Sequence, residues 1–340
     1  MIRNLQRKLG KLSFYAGMMR YKSALNAPMP THIEVEPTTR CNATCGTCSR
    51  GSLAREDMKN DLLPSTLLKI LASFPDLKSI RLVGLGETFL NPDIEKILQQ
   101  LNDRSVKVWT ITNGSQLRNP KIRQLIHDFI YEVGISIDST DSAEFARLRP
   151  MGKIGLSEVT DGIRTLVSER NNGSSNVIIG INNTVTHENY SNLPELGALC
   201  LDLRVDYLAI SFVENWLMKG DPGQQEAAER IRESMQFLPT IRRAIIKQQI
   251  RLGLRGIIVG YKVPWRRVGK CHWPFRSAHI TAEGNVTPCC TRTQPNHGIF
   301  NILSHDGDFA KNWNGPAYQE LRQAHINGDT LNLMCGDCPL

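Results

Sequence analysis

No apolar stretch in this 340-residue chain approaches the ~18 residues that a membrane-spanning helix needs, which excludes such a helix. Nor does the opening segment hold the continuous hydrophobic core of a signal peptide. Residues 1–33 lack acidic side chains altogether but carry Arg3, Arg7, Lys8, Lys11, Arg20 and Lys22. An acid-poor, Arg-containing start is also the composition of an organellar transit peptide; without an export signal the expected location is the cytoplasm. These six bases account for most of the net charge of +8, leaving +2 on the remaining 307 residues. So weak a surplus gives the body of the chain no electrostatic footprint for nucleic acid. Internal repeats and low-complexity segments are also missing. With Gly, the apolar share is roughly 49%, the globular average, which excludes a disordered or collagen-like chain. Nine cysteines without an export signal read as metal ligands, catalytic thiols or small core residues rather than as disulfides.

What is present is an alternation of short strands and helices. Ile33–Glu36, Ile80–Val83, Val106–Thr112, Val133–Asp138, Val177–Asn183 and Tyr207–Phe212 have strand patterns, the first ending at Pro37. Between them Asn91-Pro92-Asp93 and Asn119-Pro120 carry helix-start chemistry. Ile122, Leu125, Ile126 and Phe129 share one helical face, and Val159, Ile163 and Leu166 another. Six strand–helix units predict a parallel sheet, either doubly wound or an incomplete barrel. Residues 222–250 read as helical with a break near Leu238-Pro239, and 256–269 as a connector without periodicity. A hairpin is expected from Ser277–Thr281 and Asn285–Thr287 around Gly284, followed by a helix at Pro316–Ala324.

All the cysteines but Cys200 lie toward the two ends of the chain. Cys41, Cys45 and Cys48 follow the first strand at x3 and x2 spacing, which a given cysteine meets by chance roughly once in a thousand. Structural zinc prefers four ligands, whereas three thiolates can hold three irons of a [4Fe–4S] cluster and leave the fourth open. Cys271, Cys289, Cys335 and Cys338 form a second set of four, an ordinary zinc set as well as a cluster set. The eight histidines show no metal-ligand spacing.

Cys-Asn-Ala-Thr-Cys-Gly-Thr-Cys after a first strand resembles the signature of radical SAM enzymes. The resemblance implies an α/β fold, a partial (β/α)6 barrel, with a small C-terminal α+β module. It implies a [4Fe–4S] cluster on Cys41, Cys45 and Cys48 whose open iron binds S-adenosylmethionine. One electron then cleaves that cofactor, and the resulting 5′-deoxyadenosyl radical abstracts a substrate hydrogen. Gly84, Gly86 and Glu87 sit where the family has Gly-Gly-Glu, with the carboxylate toward the methionine amino group. Asn113, Ser136 and Asp138 fall where it contacts ribose and carboxylate. The match departs from the family at Gly-Leu-Gly-Glu-Thr and at Thr47, where an aromatic is common.

The second cysteine set resembles the auxiliary-cluster module of SPASM and twitch proteins. Cys338 stands two residues from the last one given, so four ligands and one auxiliary [4Fe–4S] cluster are expected, the twitch arrangement. The organisation implied is a basic extension (1–31), a barrel (32–214), a helical connector (215–262) and the auxiliary module (263–340). Cys200, on a helix face with Leu193, Leu196 and Leu203, reads as core, and Cys290 as a spare; a hydrogen-donating role is the alternative for each. Glu214, Trp216 and Lys219 follow the sixth strand, where barrels bind substrate, or are merely a connector. Trp265, Arg266 and Arg267 could meet an anion or form a solvated turn. Ile2, Leu5, Leu9 and Leu12 suit an amphipathic helix that packs on the barrel, binds a partner or touches lipid. The expected activity is oxidation of a small polar sugar or alcohol, with the auxiliary cluster accepting an electron. The alternative is crosslinking or epimerisation of a ribosomal peptide, and the contrasting class is a zinc-stapled structural protein. A reductase or a flavodoxin- or ferredoxin-type protein would be the electron donor.

Overall fold

The computed structural model describes residues 25–214, 217, 221, 223–262, 271–330 and 335. Its first half alternates strands with helices. His32–Val35 (β1) is followed by Pro64–Ser73 (α1), Ser79–Leu82 (β2) and Ile94–Asp103 (α2). Lys107–Thr112 (β3), Pro120–Phe129 (α3) and Ile130–Ser136 (β4) come next, then Ser142–Leu148 (α4) and Leu156–Glu169 (α5). Ile178–Val185 (β5), Leu193–Asp202 (α6) and Tyr207–Phe212 (β6) complete six strands. Gln224–Gln236 (α7) and Leu238–Gly253 (α8) break at Leu238-Pro239, as the Pro placement requires.

A seventh parallel strand, Ile258–Lys262 (β7), lies where the sequence pattern suggested a connector. It pairs with β6 from Tyr207↔Ile258 to Ser211↔Lys262. Its residues are only half-buried or exposed and Gly260 interrupts them, so neither alternation nor a continuous apolar run marks it.

The C-terminal module joins the same sheet. Trp273–Arg276 (α9), His279–Ile280 (β8), Asn285–Thr287 (β9), Phe300–Asn301 (β10), Phe309–Trp313 (α10) and Pro316–Asn327 (α11) follow. The strand order is β10-β9-β8-β1-β2-β3-β4-β5-β6-β7, with β8 parallel to β1 and the β8–β9–β10 pairs antiparallel. Gly284 makes the expected hairpin turn at φ +86°. The order is linear among the described residues, so this is a partial α/β barrel with a small module on its β1 edge.

Alternation decides which side chains meet the helices. Ile33, Val35, Ile80, Leu82, Val133, Ile135, Ile179, Ile181, Leu208 and Ile210 are buried in one core. Val159, Ile163 and Leu166 of α5 are buried there too; each contributes about 1.5–3 kcal/mol on leaving water. Asn91 does not cap α2, whose N-cap is Asp93. Its amide instead donates to Pro37 O (2.6 Å) and Leu62 O (3.0 Å), fastening the loop after β1. The chain at 25–28 is tied to the C-terminal module. Trp313 Nε1 donates to Pro28 O (3.0 Å), and Arg322, stacked over Trp313, donates to Leu25 O (2.8 Å). Positions 2–22, 216, 219 and 265–267 lie outside the described residues.

Candidate functional site

All the parallel strands end on one side, and the loops leaving β1, β2, β3 and β4 meet there. The loop after β1 carries Cys41 and Cys45, each half-buried, and Cys48, exposed. Backbone N–H groups of Ala43 and Arg50 donate to Cys41 Sγ and Cys48 Sγ at 3.4 Å. Burial pushes the Cys45 thiol up to about 11 and raises Cys41 as well, and the three sulfurs act on one another electrostatically. The loop is clamped from three directions. Thr44 N donates to Pro150 O (3.1 Å), Gln294 Nε2 to Ser49 O (3.2 Å), and Arg230 of α7 to Gly46 O.

Glu87 ends the loop after β2 and is 2% exposed. Its Oε1 accepts from Thr112 Oγ1 (2.6 Å) and Phe89 N (3.3 Å), and its Oε2 from Asn113 N (2.6 Å). Burial raises its pKa beyond what these bonds offset. A carboxylate with about four lone-pair sites, three of them filled, retains one for an ammonium. Asn113 Nδ2 donates to Asn42 Oδ1 (2.9 Å) and lies 3.9 Å from Cys41 Sγ, so this turn touches the cysteine loop.

The two glycines before Glu87 sit against the segment that follows β1. A Cβ on Gly86 would stand 2.6 Å from Arg40 O and closer still to Thr38 O. One on Gly84 would stand 2.7 Å from Glu36 Cβ. Both positions are therefore crowded by this chain's own segment after β1. Glu36 fills the space beside Gly84 and accepts from Leu85 N (2.8 Å) and, across the module boundary, Ala282 N (3.3 Å). Gly86→Ala is expected to cost about 1–3 kcal/mol, because its obstacles are backbone oxygens that cannot rotate away. Gly84→Ala should cost less, its obstacle being a side chain. Denaturant midpoints of the metal-free proteins check that order.

Asp138 is committed within the chain. Its Oδ2 accepts from Arg149 Nε (2.6 Å) and its Oδ1 from Thr184 N (2.7 Å). Arg149, which no sequence motif marked, lies 4.0 Å from Cys45 Sγ through Nη1. Ser136 is buried at the end of β4. Cys200 is 0% exposed on α6, with its thiol pushed up to about 12 by burial. Cys200 belongs to the buried core. Cys290 lies instead beside Glu34, Lys262 and Glu214, and Glu214 pairs with Lys262 at 2.8 Å. Cys271 precedes α9, Cys289 follows β9, and Cys335 is buried against the core. Cys338 lies outside the described residues.

The donor chemistry fits an iron–sulfur group. Among the described residues no three His, Cys, Asp or Glu side chains converge on a single-ion site. Three thiols spread around one clamped loop suit separate iron corners instead. A radical SAM superfamily model matches residues 35–190, and an iron–sulfur cluster-binding domain model, SPASM, matches 271–339. The chain belongs to the radical SAM superfamily. A cofactor-modifying protein for tungsten-containing aldehyde ferredoxin oxidoreductase from Pyrococcus furiosus is 30% identical over 184 residues, 53% of this chain and 51% of that one. AlbA, a biosynthesis protein for the antilisterial bacteriocin subtilosin in Bacillus subtilis, is 24% identical over 328 residues, 92% of this chain and 66% of that one. This radical SAM chain thus spans about half to two thirds of the length of these curated relatives. The fold matches that of SuiB from Streptococcus suis, solved with its precursor peptide SuiA, at TM-score 0.68 and 17% identity. That match covers 94% of this chain and 71% of that one. The cofactors are [4Fe–4S] clusters and S-adenosylmethionine. Asn42, Arg149 and Arg230 carry no signal in the sequence, since each acts through a tertiary contact.

Proposed function

We propose that this protein is a radical SAM enzyme that modifies a peptide. The observation that supports this reading most is the match to the bacteriocin biosynthesis protein, which covers 92% of this chain. It reverses the order expected from the sequence, in which oxidation of a small polar molecule came first. The charged lumen described below keeps that oxidation as the second reading.

In this reading Cys41, Cys45 and Cys48 hold the cluster that binds S-adenosylmethionine. Cys271, Cys289, Cys335 and Cys338 hold one auxiliary cluster of twitch type. When bound, these groups supply one-electron chemistry that removes hydrogen from a carbon and releases 5′-deoxyadenosine. The protein's own part is to hold Glu87 for the methionine ammonium, with Asn113 and Ser136 toward the rest of that molecule. Asp138 acts through Arg149. Cys290, beside Glu34 and Lys262, is the spare thiol, with hydrogen donation to a substrate radical as its alternative role. Thiols that must stay reduced suit the cytoplasm, with a reductase or a flavodoxin- or ferredoxin-type protein as donor. Among the described residues no helix is long and apolar enough to cross a membrane.

The test is substrate-stimulated release of 5′-deoxyadenosine by the reduced, cluster-loaded protein, using cell extract separated by dialysis. Stimulation by the retained fraction, abolished by protease, is the expected result. Stimulation by the dialysable fraction alone, insensitive to protease, would replace the peptide reading with the second one.

A further inference from the structure

The sheet sets a row of polar side chains at one level on the face opposite its helices. His279, Glu34, Arg81, Trp109 and Glu132 are successive cross-strand neighbours on β8, β1, β2, β3 and β4. Glu34 Oε1 accepts from Arg81 Nη1 at 3.1 Å, and the guanidinium lies 6.0 Å from the Trp109 ring centre. The other half of this arrangement is unsatisfied. Glu34 Oε2 stands 3.9 Å from His279 Nδ1, too far for a hydrogen bond, and has no nitrogen or oxygen partner, with the Cys290 thiol beside the carboxylate. Neither ring nitrogen of His279 has one. Glu34 is 5% exposed and His279 0%. Buried polar atoms are paired in all but a few places, and an unpaired one costs about 1–3 kcal/mol. Three unpaired atoms on two facing side chains therefore mark a place where something else binds.

Charge narrows what that is. Burial pushes the Glu34 pKa up, but the nearby His279 ring and the Arg81 charge more than offset it, which holds the carboxyl below its ordinary value. Arg81 bonds the first Glu34 oxygen and the neighbouring Lys262–Glu214 pair cancels itself, which leaves the negative surplus at Oε2. A carboxylate or phosphate would meet this surplus as a like charge, and a hydroxyl would leave it uncompensated. We propose that Glu34 and His279 form a subsite for a primary ammonium group carried by the substrate, with Glu34 Oε2 accepting one of its hydrogens and an imidazole nitrogen another. The subsite rests on the reading of the lumen as the place where substrate binds. It specifies an amine on that substrate, whether a lysine side chain, a peptide N-terminus or an amino sugar.

Anaerobic calorimetry on the full cluster-loaded chain tests it with n-butylamine, glycinamide and glucosamine, against n-butanol and butyrate. At least one amine should bind about tenfold or more tightly than both controls, and which amine leads names the source. Glu34→Gln should weaken that amine at least about tenfold while leaving n-butanol unchanged, as expected when a buried charge loses its partner. Equal binding of amine and alcohol, binding of none, or an unweakened amine in Glu34→Gln would overturn the subsite and leave a water-filled gap. Should Glu34→Gln fail to load iron, His279→Asn decides on the same criterion. Extract-stimulated release of 5′-deoxyadenosine by the same preparations separates the two readings. Amine selectivity without stimulation by the retained fraction overturns the peptide reading alone, and the reverse result overturns the subsite alone.

Discussion

Replacing Cys41, Cys45 and Cys48 together by Ala should leave a folded protein with about four irons where the wild type holds about eight, and with no release of 5′-deoxyadenosine. The fold should survive because none of the three lies in a strand, and the loop is fastened elsewhere. Thr44 N reaches Pro150 O, Gln294 reaches Ser49 O and Arg230 reaches Gly46 O, all independent of sulfur. Activity should vanish completely, since the thiolates are the only anchors this loop offers for the open cluster. Iron, sulfide and zinc analysis after anaerobic reconstitution checks the result. Four irons with zinc in the wild type would assign zinc to the C-terminal cysteines. Zinc without iron, and no nucleoside, would leave a metal-stapled structural protein.

The alternating half of the fold was legible because each strand repeats one grammar. An apolar face is buried under a helix, and a turn or cap follows, as at Asn119, whose side chain accepts from Lys121 N. The six expected strands all occur, β6 with its expected bounds. β7 escaped because an edge strand of half-exposed residues has no periodicity to read. The pairing of β8 with β1 escaped for another reason. It rests on two residue pairs, Glu34↔His279 and Val35↔Ile280, each 245 residues apart in sequence. Within the site, the cysteine spacing was plain because ligand geometry constrains it locally. Gly84 and Gly86 were visible as glycines, but what crowds them comes from β1 and cannot be read from their own neighbourhood. Arg149 and the Glu34–His279 gap are likewise products of tertiary register, which no local motif encodes.

Arg149 carries the second large effect. Its guanidinium is bonded to Asp138 at 2.6 Å, with both side chains largely buried, and lies near the Cys45 and Cys48 thiols. Arg149→Met should cost about 3–5 kcal/mol, because Asp138 remains buried with only Thr184 N as partner. Arg149→Met/Asp138→Asn should recover a large part of that loss, since no unpaired charge is left behind. Stability is only half of the effect. Burial raises the Cys45 thiol to about 11, and Arg149 is the largest influence opposing that rise. Removing it raises the thiol further. Because iron binds the thiolate and must displace its proton, loading should then require a higher pH. The double variant, which also lacks the negative charge of Asp138, loses one influence that lowers the thiol and one that raises it. Its loading curve should lie between the other two. A denaturation midpoint restored together with a loading curve still displaced upward would separate the two duties of Arg149. A loading curve that tracks stability in all three proteins would reduce Arg149 to a structural cation.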